Sequence, residues 1–177
     1  MGEIILLTGE FQSGKTKLCL EIYQLALEAR VQLRGLISPA VFEGDMKTAI
    51  DTLDLKSGTR KRLAERRSSQ ERGLDTLRWS FFPEVVEWGN SILLEAVPCD
   101  LLMIDELGPL EFQRGEGWLN GFTAVDSGDY QAAILVIRPS LIEEATQRWN
   151  VSRILDLDQT APDPKLIAEL IGGIDPS

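Results

Sequence analysis

This sequence predicts a three-layer α/β fold with a mostly parallel central sheet of about five core strands and a β-hairpin insertion. Three observations support that prediction. Ile4-Ile5-Leu6-Leu7, Leu101-Leu102-Met103-Ile104 and residues 133–137 are apolar without alternation, as strands covered on both faces are. Segments with helical apolar spacing lie between them. A glycine-bearing loop joins the first strand to the first helix. The 177 residues suit one domain spanning 1–177, since no Pro/Gly/Ser-rich stretch reads as a linker and no segment repeats.

Taken in order, Glu3–Thr8 is the first strand. Leu18, Ile22, Leu25 and Ala29 place one face of a helix over residues 14–30. Residues 35–55 hold two extended stretches around a turn at Glu43-Gly44-Asp45, and Pro39 makes the first of them an edge or bent strand. Ser57-Gly58 ends this hairpin. A helix is expected over 83–97, and Cys99-Asp100 leads into the strand at 101–104. A short helix over 117–125 precedes the strand at 133–137. Ser140 with Glu143 has the spacing of a capping box for a helix reaching Trp149. Residues 153–157 make a last strand. Asp163 and Pro164 open a terminal helix that Gly172-Gly173 closes.

The loop reads Gly9-Glu10-Phe11-Gln12-Ser13-Gly14-Lys15-Thr16. Gly, four residues, Gly-Lys-Thr is a P-loop: backbone amides and the positive end of a helix surround an anion, and the lysine reaches the outer phosphates. Its setting between a buried strand and an amphipathic helix is the one the motif requires. Gly9 to Thr16, with Lys17 next to them, are therefore the expected nucleotide-binding residues, and Lys15 also serves catalysis. The Thr16 hydroxyl is a ligand for Mg²⁺, the expected cofactor. Phe11 either covers the nucleotide or anchors the loop, and Lys17 is expected to face solvent.

Asp105-Glu106 follows Leu-Leu-Met-Ile at the carboxyl end of a strand, where open α/β sheets present ligand-binding side chains. Asp105 is assigned to the metal and Glu106 to the attacking water. Arg138, at the end of another core strand, is the candidate for stabilising charge on the transferring phosphoryl group. Asp105-Glu-Leu-Gly108 also fits the Asp-x-x-Gly element of GTP-binding switches. Those proteins read guanine through Asn-Lys-x-Asp, however, and Asn90, Asn120 and Asn150 here precede Ser, Gly and Val.

Composition removes other chemistries. The chain has no histidine and only two cysteines, Cys19 and Cys99, which excludes Ser-His and Cys-His catalysis and any zinc pattern. No apolar run approaches the roughly 20 residues of a membrane span, no secretory signal is visible, and a cytoplasmic location is expected. The net charge of -10 disfavours nucleic acid as a partner. It is unevenly spread. Residues 56–78 carry eight basic groups (Lys56, Arg60, Lys61, Arg62, Arg66, Arg67, Arg72, Arg78) against Glu65, Glu71 and Asp75, a local +5 that leaves -15 elsewhere. A solvated helix face is the commonest fate of such a run. A phosphate lid, a grip on a phosphorylated substrate and a contact with nucleic acid are the functional alternatives.

These motifs resemble the small P-loop nucleoside triphosphatases first described from thermophiles and also called cancer-related nucleoside triphosphatases. The resemblance lies in the loop, in Arg34-Gly35-Leu36-Ile37-Ser38-Pro39 before the hairpin, in residues 54–64, and above all in Asp105-Glu106-Leu107-Gly108-Pro109-Leu110-Glu111. It covers most of the first 125 residues. The family's acidic motif usually reads Asp-Glu-Ile-Gly-Lys-Met-Glu, so Pro109 and Leu110 depart from it, as do Gln12 and Lys17 from the family's inner glycine and second threonine. A divergent member is implied. The resemblance further implies the P-loop NTPase fold with an added strand, residues 133–137, between the two motif strands. It implies slow Mg²⁺-dependent hydrolysis of ATP, GTP and other nucleoside triphosphates to diphosphate and phosphate, and a structural Glu111. Two other functions remain open: a nucleotide or small-molecule kinase, and a non-catalytic ATP-binding regulatory module acting with a protein partner.

Overall fold

Leu6 and Leu7 are fully enclosed because the strand that carries them, β1 (Glu3–Thr8), has helices over both faces of its sheet. The computed structural model describes residues 2–66, 78–161, 164–174 and 176. After β1 come α1 (Lys15–Glu28), β2 (Leu33–Ile37), β3 (Ala40–Glu43), β4 (Met46–Asp54), β5 (Arg60–Arg66), β6 (Trp79–Phe81), α2 (Pro83–Leu94) and β7 (Cys99–Leu107). A π-helical turn, Leu110–Arg114, precedes α3 (Leu119–Ser127) and β8 (Tyr130–Ile137). A 3-10 turn at Pro139–Leu141 leads to α4 (Ile142–Arg148), followed by β9 (Arg153–Asp156) and α5 (Pro164–Gly172).

One nine-stranded sheet runs β6-β5-β4-β2-β7-β8-β1-β9, with β3 paired to β4. The core is five parallel strands, β2, β7, β8, β1 and β9, as the sequence predicts. Strand β8 lies between the two motif strands β7 and β1, as the resemblance implies for residues 133–137. Alternate side chains of these strands enter different cores. Ile4, Leu6, Leu102, Ile104, Ala133 and Leu135 pack with α2, α3 and α4 on one face. Ile5, Leu7, Leu101, Met103, Ile134 and Val136 pack with α1 and α5 on the other. The two cysteines are free and buried, Cys19 in one core and Cys99 in the other.

The hairpin around Gly44-Asp45 forms, with β3 and β4 on either side of it. Pro39 separates β2 from β3, which pairs only with β4 among the described strands. The basic segment departs from expectation. Residues 60–66 are strand β5, antiparallel to β4, rather than a helix face. Arg60 and Arg62 both bond the Asp51 carboxylate of β4, at 2.8 and 2.6 Å, while Lys61 lies 4.4 Å over the Trp88 ring on the opposite face. Cross-strand partners, which a linear pattern does not contain, turn the like charges into an ordered edge. Arg67, Glu71, Arg72 and Asp75 of that segment lie outside the described residues, as does Asp163.

The capping box also fails to form. Pro139 starts a 3-10 turn in which the Leu141 amide donates to the Arg138 carbonyl, so Ser140 is already inside the turn and Leu141 occupies the cap position without a side-chain bond. Helix α2 ends at Leu94, short of the expected Val97, because Pro98 keeps the residue before it out of helical geometry.

Candidate active site

The loop after β1 owes its shape to residues that tolerate left-handed backbone. Gly9 has φ +141°, and a Cβ there would lie 2.5 Å from Ser13 Oγ. Gly14, φ +96°, caps α1 and points the free amides of its first turn into the loop. Gln12 also sits at positive φ, +67°. A side chain in that region costs about 1 kcal/mol relative to glycine, partly offset by glycine's larger unfolded-state entropy. Gln12→Gly is therefore expected to raise the melting temperature by about 2 °C, measured by thermal unfolding without nucleotide.

Lys15 Nζ donates to the carbonyls of Gly9 (2.6 Å) and Glu10 (2.7 Å) and to Ser13 Oγ (3.2 Å), curling back over the cavity its loop encloses. The Glu10 amide donates to Asp158, beyond β9, and ties the loop to the sheet edge. Phe11 is 71% exposed and does not anchor the loop in the core. Lys17 faces solvent, 3.9 Å from Glu21 one turn on.

The ends of β1 and β7 bring the two motifs together across β8. Asp105 is 3% exposed, accepts from the Ser38 amide at 3.4 Å, and shares its cleft with Thr16. Burial pushes its carboxyl up to about 7; neighbouring Glu106 adds to the shift, while Thr16, Ser38 and Lys15 oppose it. The Ser38 hydroxyl beside it is shielded and has no hydrogen-bond partner among the described residues. Two hydroxyls and a carboxylate are hard oxygen donors suited to Mg²⁺, which takes few protein ligands and completes its shell with water and phosphate. Among the described residues no cluster of three or more His, Cys, Asp or Glu offers an all-protein cage.

Glu106 accepts from Arg138 Nε at 2.5 Å. Arg138, at the end of β8, is thus paired with the Glu106 carboxylate. Lys15, Thr16, Asp105, Glu106 and Arg138 line one cleft of about 1330 Å³. Arg60 and Arg62 are not among its walls, whereas Arg78 and Arg114 are. Sequence reading missed Lys47 of β4 and Trp79 of β6, which line the same cleft with the lysine 5.0 Å from the ring centroid. Burial lowers the Lys47 ammonium from its ordinary value, against the pull of the Glu106 and Asp105 carboxylates and with a contribution from Arg138. A lysine beside a hairpin turn carries no local signal of this. Only the fold of the hairpin over the loop shows it.

Glu111, for which the resemblance implies a structural role, is buried. Its carboxylate accepts from the Gly108 and Trp118 amides, both at 2.7 Å, and so closes the segment that follows Glu106. Gly117 makes room for it: a Cβ there would lie 2.0 Å from Glu111 Oε1. Burial lifts this carboxyl from 4.5 to about 7, against the two amide bonds. The folded chain thus keeps a proton that the unfolded chain releases, and this contribution to stability is full below about pH 4.5 and lost as pH rises to about 7. Urea unfolding across that window should show stability falling. The fall should be smaller for Glu111→Gln, which cannot titrate but leaves the Asp105 shift in place.

Comparison with known proteins agrees with this geometry. The sequence profile of the NTPase family matches residues 4–117. The nucleoside-triphosphatase THEP1 of Methanopyrus kandleri is 29% identical over 110 residues, 62% of this chain and 59% of that protein. THEP1 of Pyrobaculum aerophilum is 33% identical over 107 residues, 56% and 54% of the two chains. The chain thus spans little more than half the length of these relatives. A solution structure of a human cancer-related nucleoside triphosphatase matches 97% of this chain and 94% of its own, with TM-score 0.64 and 19% identity. The crystal structure of THEP1 from Aquifex aeolicus matches 95% and 96%, with TM-score 0.62 and 15% identity. These two likenesses establish the fold.

Proposed function

The chain belongs to the NTPase family, and from that membership we propose that it is a cytoplasmic Mg²⁺-dependent nucleoside triphosphatase, one domain over residues 1–177, hydrolysing ATP, GTP and related nucleotides to diphosphate and phosphate. One observation supports this above the rest: Lys15 and Thr16 of the loop line the same cleft as Asp105 and Glu106, so that the phosphate loop and the acidic pair face one space. The single sheet joining the described strands supports the reading of one domain. No described helix is long and apolar enough to cross a membrane.

In the proposed reaction the loop amides and Lys15 take the β- and γ-phosphate oxygens in place of the Gly9 and Glu10 carbonyls. Mg²⁺, held by Thr16 and through Asp105, would neutralise charge between the two phosphates. Glu106 accepts a hydrogen bond from water and aligns it with the γ-phosphorus. Water oxygen bonds to phosphorus as the bond to the bridging oxygen breaks, the diphosphate leaves, and the water proton passes by way of Glu106 to phosphate. Arg138 keeps the Glu106 carboxylate turned toward that water. Release of phosphate from ATP, GTP, CTP and UTP with Mg²⁺, and its loss on chelation, tests the proposal. Bound nucleotide without release from any of the four would favour a regulatory module.

The cleft supplies one reason for a second reading. At about 1330 Å³ it exceeds the roughly 300–1,000 Å³ of most ligand sites, which leaves space for an acceptor beside the nucleotide. Labelled γ-phosphate appearing on an added nucleotide or small alcohol instead of in water would identify a kinase.

A further inference from the structure

Lys47 stands at the start of β4, opposite Phe42 of β3, on the hairpin wall of the cleft. It shares that cleft with Glu106, Asp105 and Arg138, groups at the ends of β7 and β8, so the hairpin has brought it to the same space as the acidic pair. We infer that Lys47 is a second phosphate-binding cation: when a nucleoside triphosphate fills the loop, its ammonium leaves the Trp79 ring and binds a γ-phosphate oxygen. This rests on the nucleotide-binding reading of the loop and adds a residue that neither motif contains.

Charge balance favours it. Arg138 already pairs with Glu106, Arg114 pairs with Glu116 at 2.7 Å, and Arg78, the remaining arginine of the cleft wall, is exposed to solvent where Lys47 is half-buried. Lys15, rooted in the loop, serves the β-phosphate side, and developing charge on the γ-phosphoryl oxygens calls for a further cation. Lys47 is disposed to supply it. Among the described residues its contact is an aromatic face 5.0 Å away rather than a carboxylate. A cation–π contact is worth about 0.5–2 kcal/mol, less than a charge-assisted bond to phosphate offers. Half-burial in the cleft adds to the gain, because an ammonium that has already lost water binds an anion with little further desolvation. The flexible stem of lysine lets the charge travel between the two partners.

The test compares the native chain with Lys47→Met, which keeps the apolar stem, and with Lys47→Arg. Three quantities are read: kcat for ATP, the affinity ratio of a non-hydrolysable triphosphate to ADP, and tryptophan emission on adding each. For Lys47→Met, kcat should fall about 10²-fold, as on removing one donor from a charged transition state, and the triphosphate preference should fall about tenfold. ADP affinity should stay unchanged, which also shows that the variant folds. Lys47→Arg should restore most of both losses. The triphosphate, but not ADP, should alter tryptophan emission in the native chain, and this change should vanish in Lys47→Met. If Lys47→Met retains kcat and triphosphate preference within about twofold, the inference is overturned while the phosphate-loop reading stands. If the native chain binds neither nucleotide, that reading fails and the role of Lys47 fails with it.

Discussion

Glu106→Gln should lower kcat for ATP hydrolysis about 10³-fold, within the range that a positioned acid/base group contributes, while leaving nucleotide affinity nearly unchanged. Glutamine occupies the same space and can still accept from Arg138 Nε, so the loop and the Asp105–Ser38 contact are undisturbed. What it lacks is negative charge toward water, and with it the capacity to accept a proton during attack. Single-turnover phosphate release, together with equilibrium binding of a fluorescent ATP analogue, separates the two effects. Equal loss of binding and turnover would point to a structural Glu106, and undiminished turnover would remove it from the reaction.

Lys15→Ala should affect binding and catalysis together, lowering kcat/KM by about 10³-fold or more because ground-state phosphate charge and transition-state charge lose the same cation. The nucleotide-free chain should tolerate the change. Lys15 bonds loop carbonyls at an open site, so its removal exposes the Gly9 and Glu10 oxygens to water without stranding them in the core. Thermal melting should therefore match the native chain without nucleotide, while the rise in melting temperature that saturating Mg²⁺-ATP produces through mass action should vanish in the variant. A native chain that shows no such rise would argue against triphosphate binding at the loop altogether.

The parallel core was legible because its signals are local. Ile4-Ile5-Leu6-Leu7 and Leu101-Leu102-Met103-Ile104 are apolar on both faces, and the periodicity of Leu18 and Ile22 announces the helix after the loop. The phosphate loop and Asp105-Glu106 were legible for the same reason, since each lies within a few residues of a recognisable strand end. Strands β5 and β6 were not. Arg60, Lys61, Arg62 and Arg66 hide the alternation of β5, whose pairing depends on Asp51 and its neighbours in β4. The structural role of Glu111 came from the resemblance alone, and its partners, the Gly108 and Trp118 amides, appeared only in the fold.

Local pattern was thus enough for the identity of the layers and for the two motifs at the strand ends. Which residues join those motifs from elsewhere was settled only by packing: Arg138 on Glu106, Ser38 on Asp105, Lys47 on Trp79 at the cleft wall. Spacing along the chain records which side chains share a strand or helix face, because backbone geometry repeats every two or 3.6 residues. It holds no record of which separate elements the hydrophobic cores draw together. That selection turns two short motifs into one site.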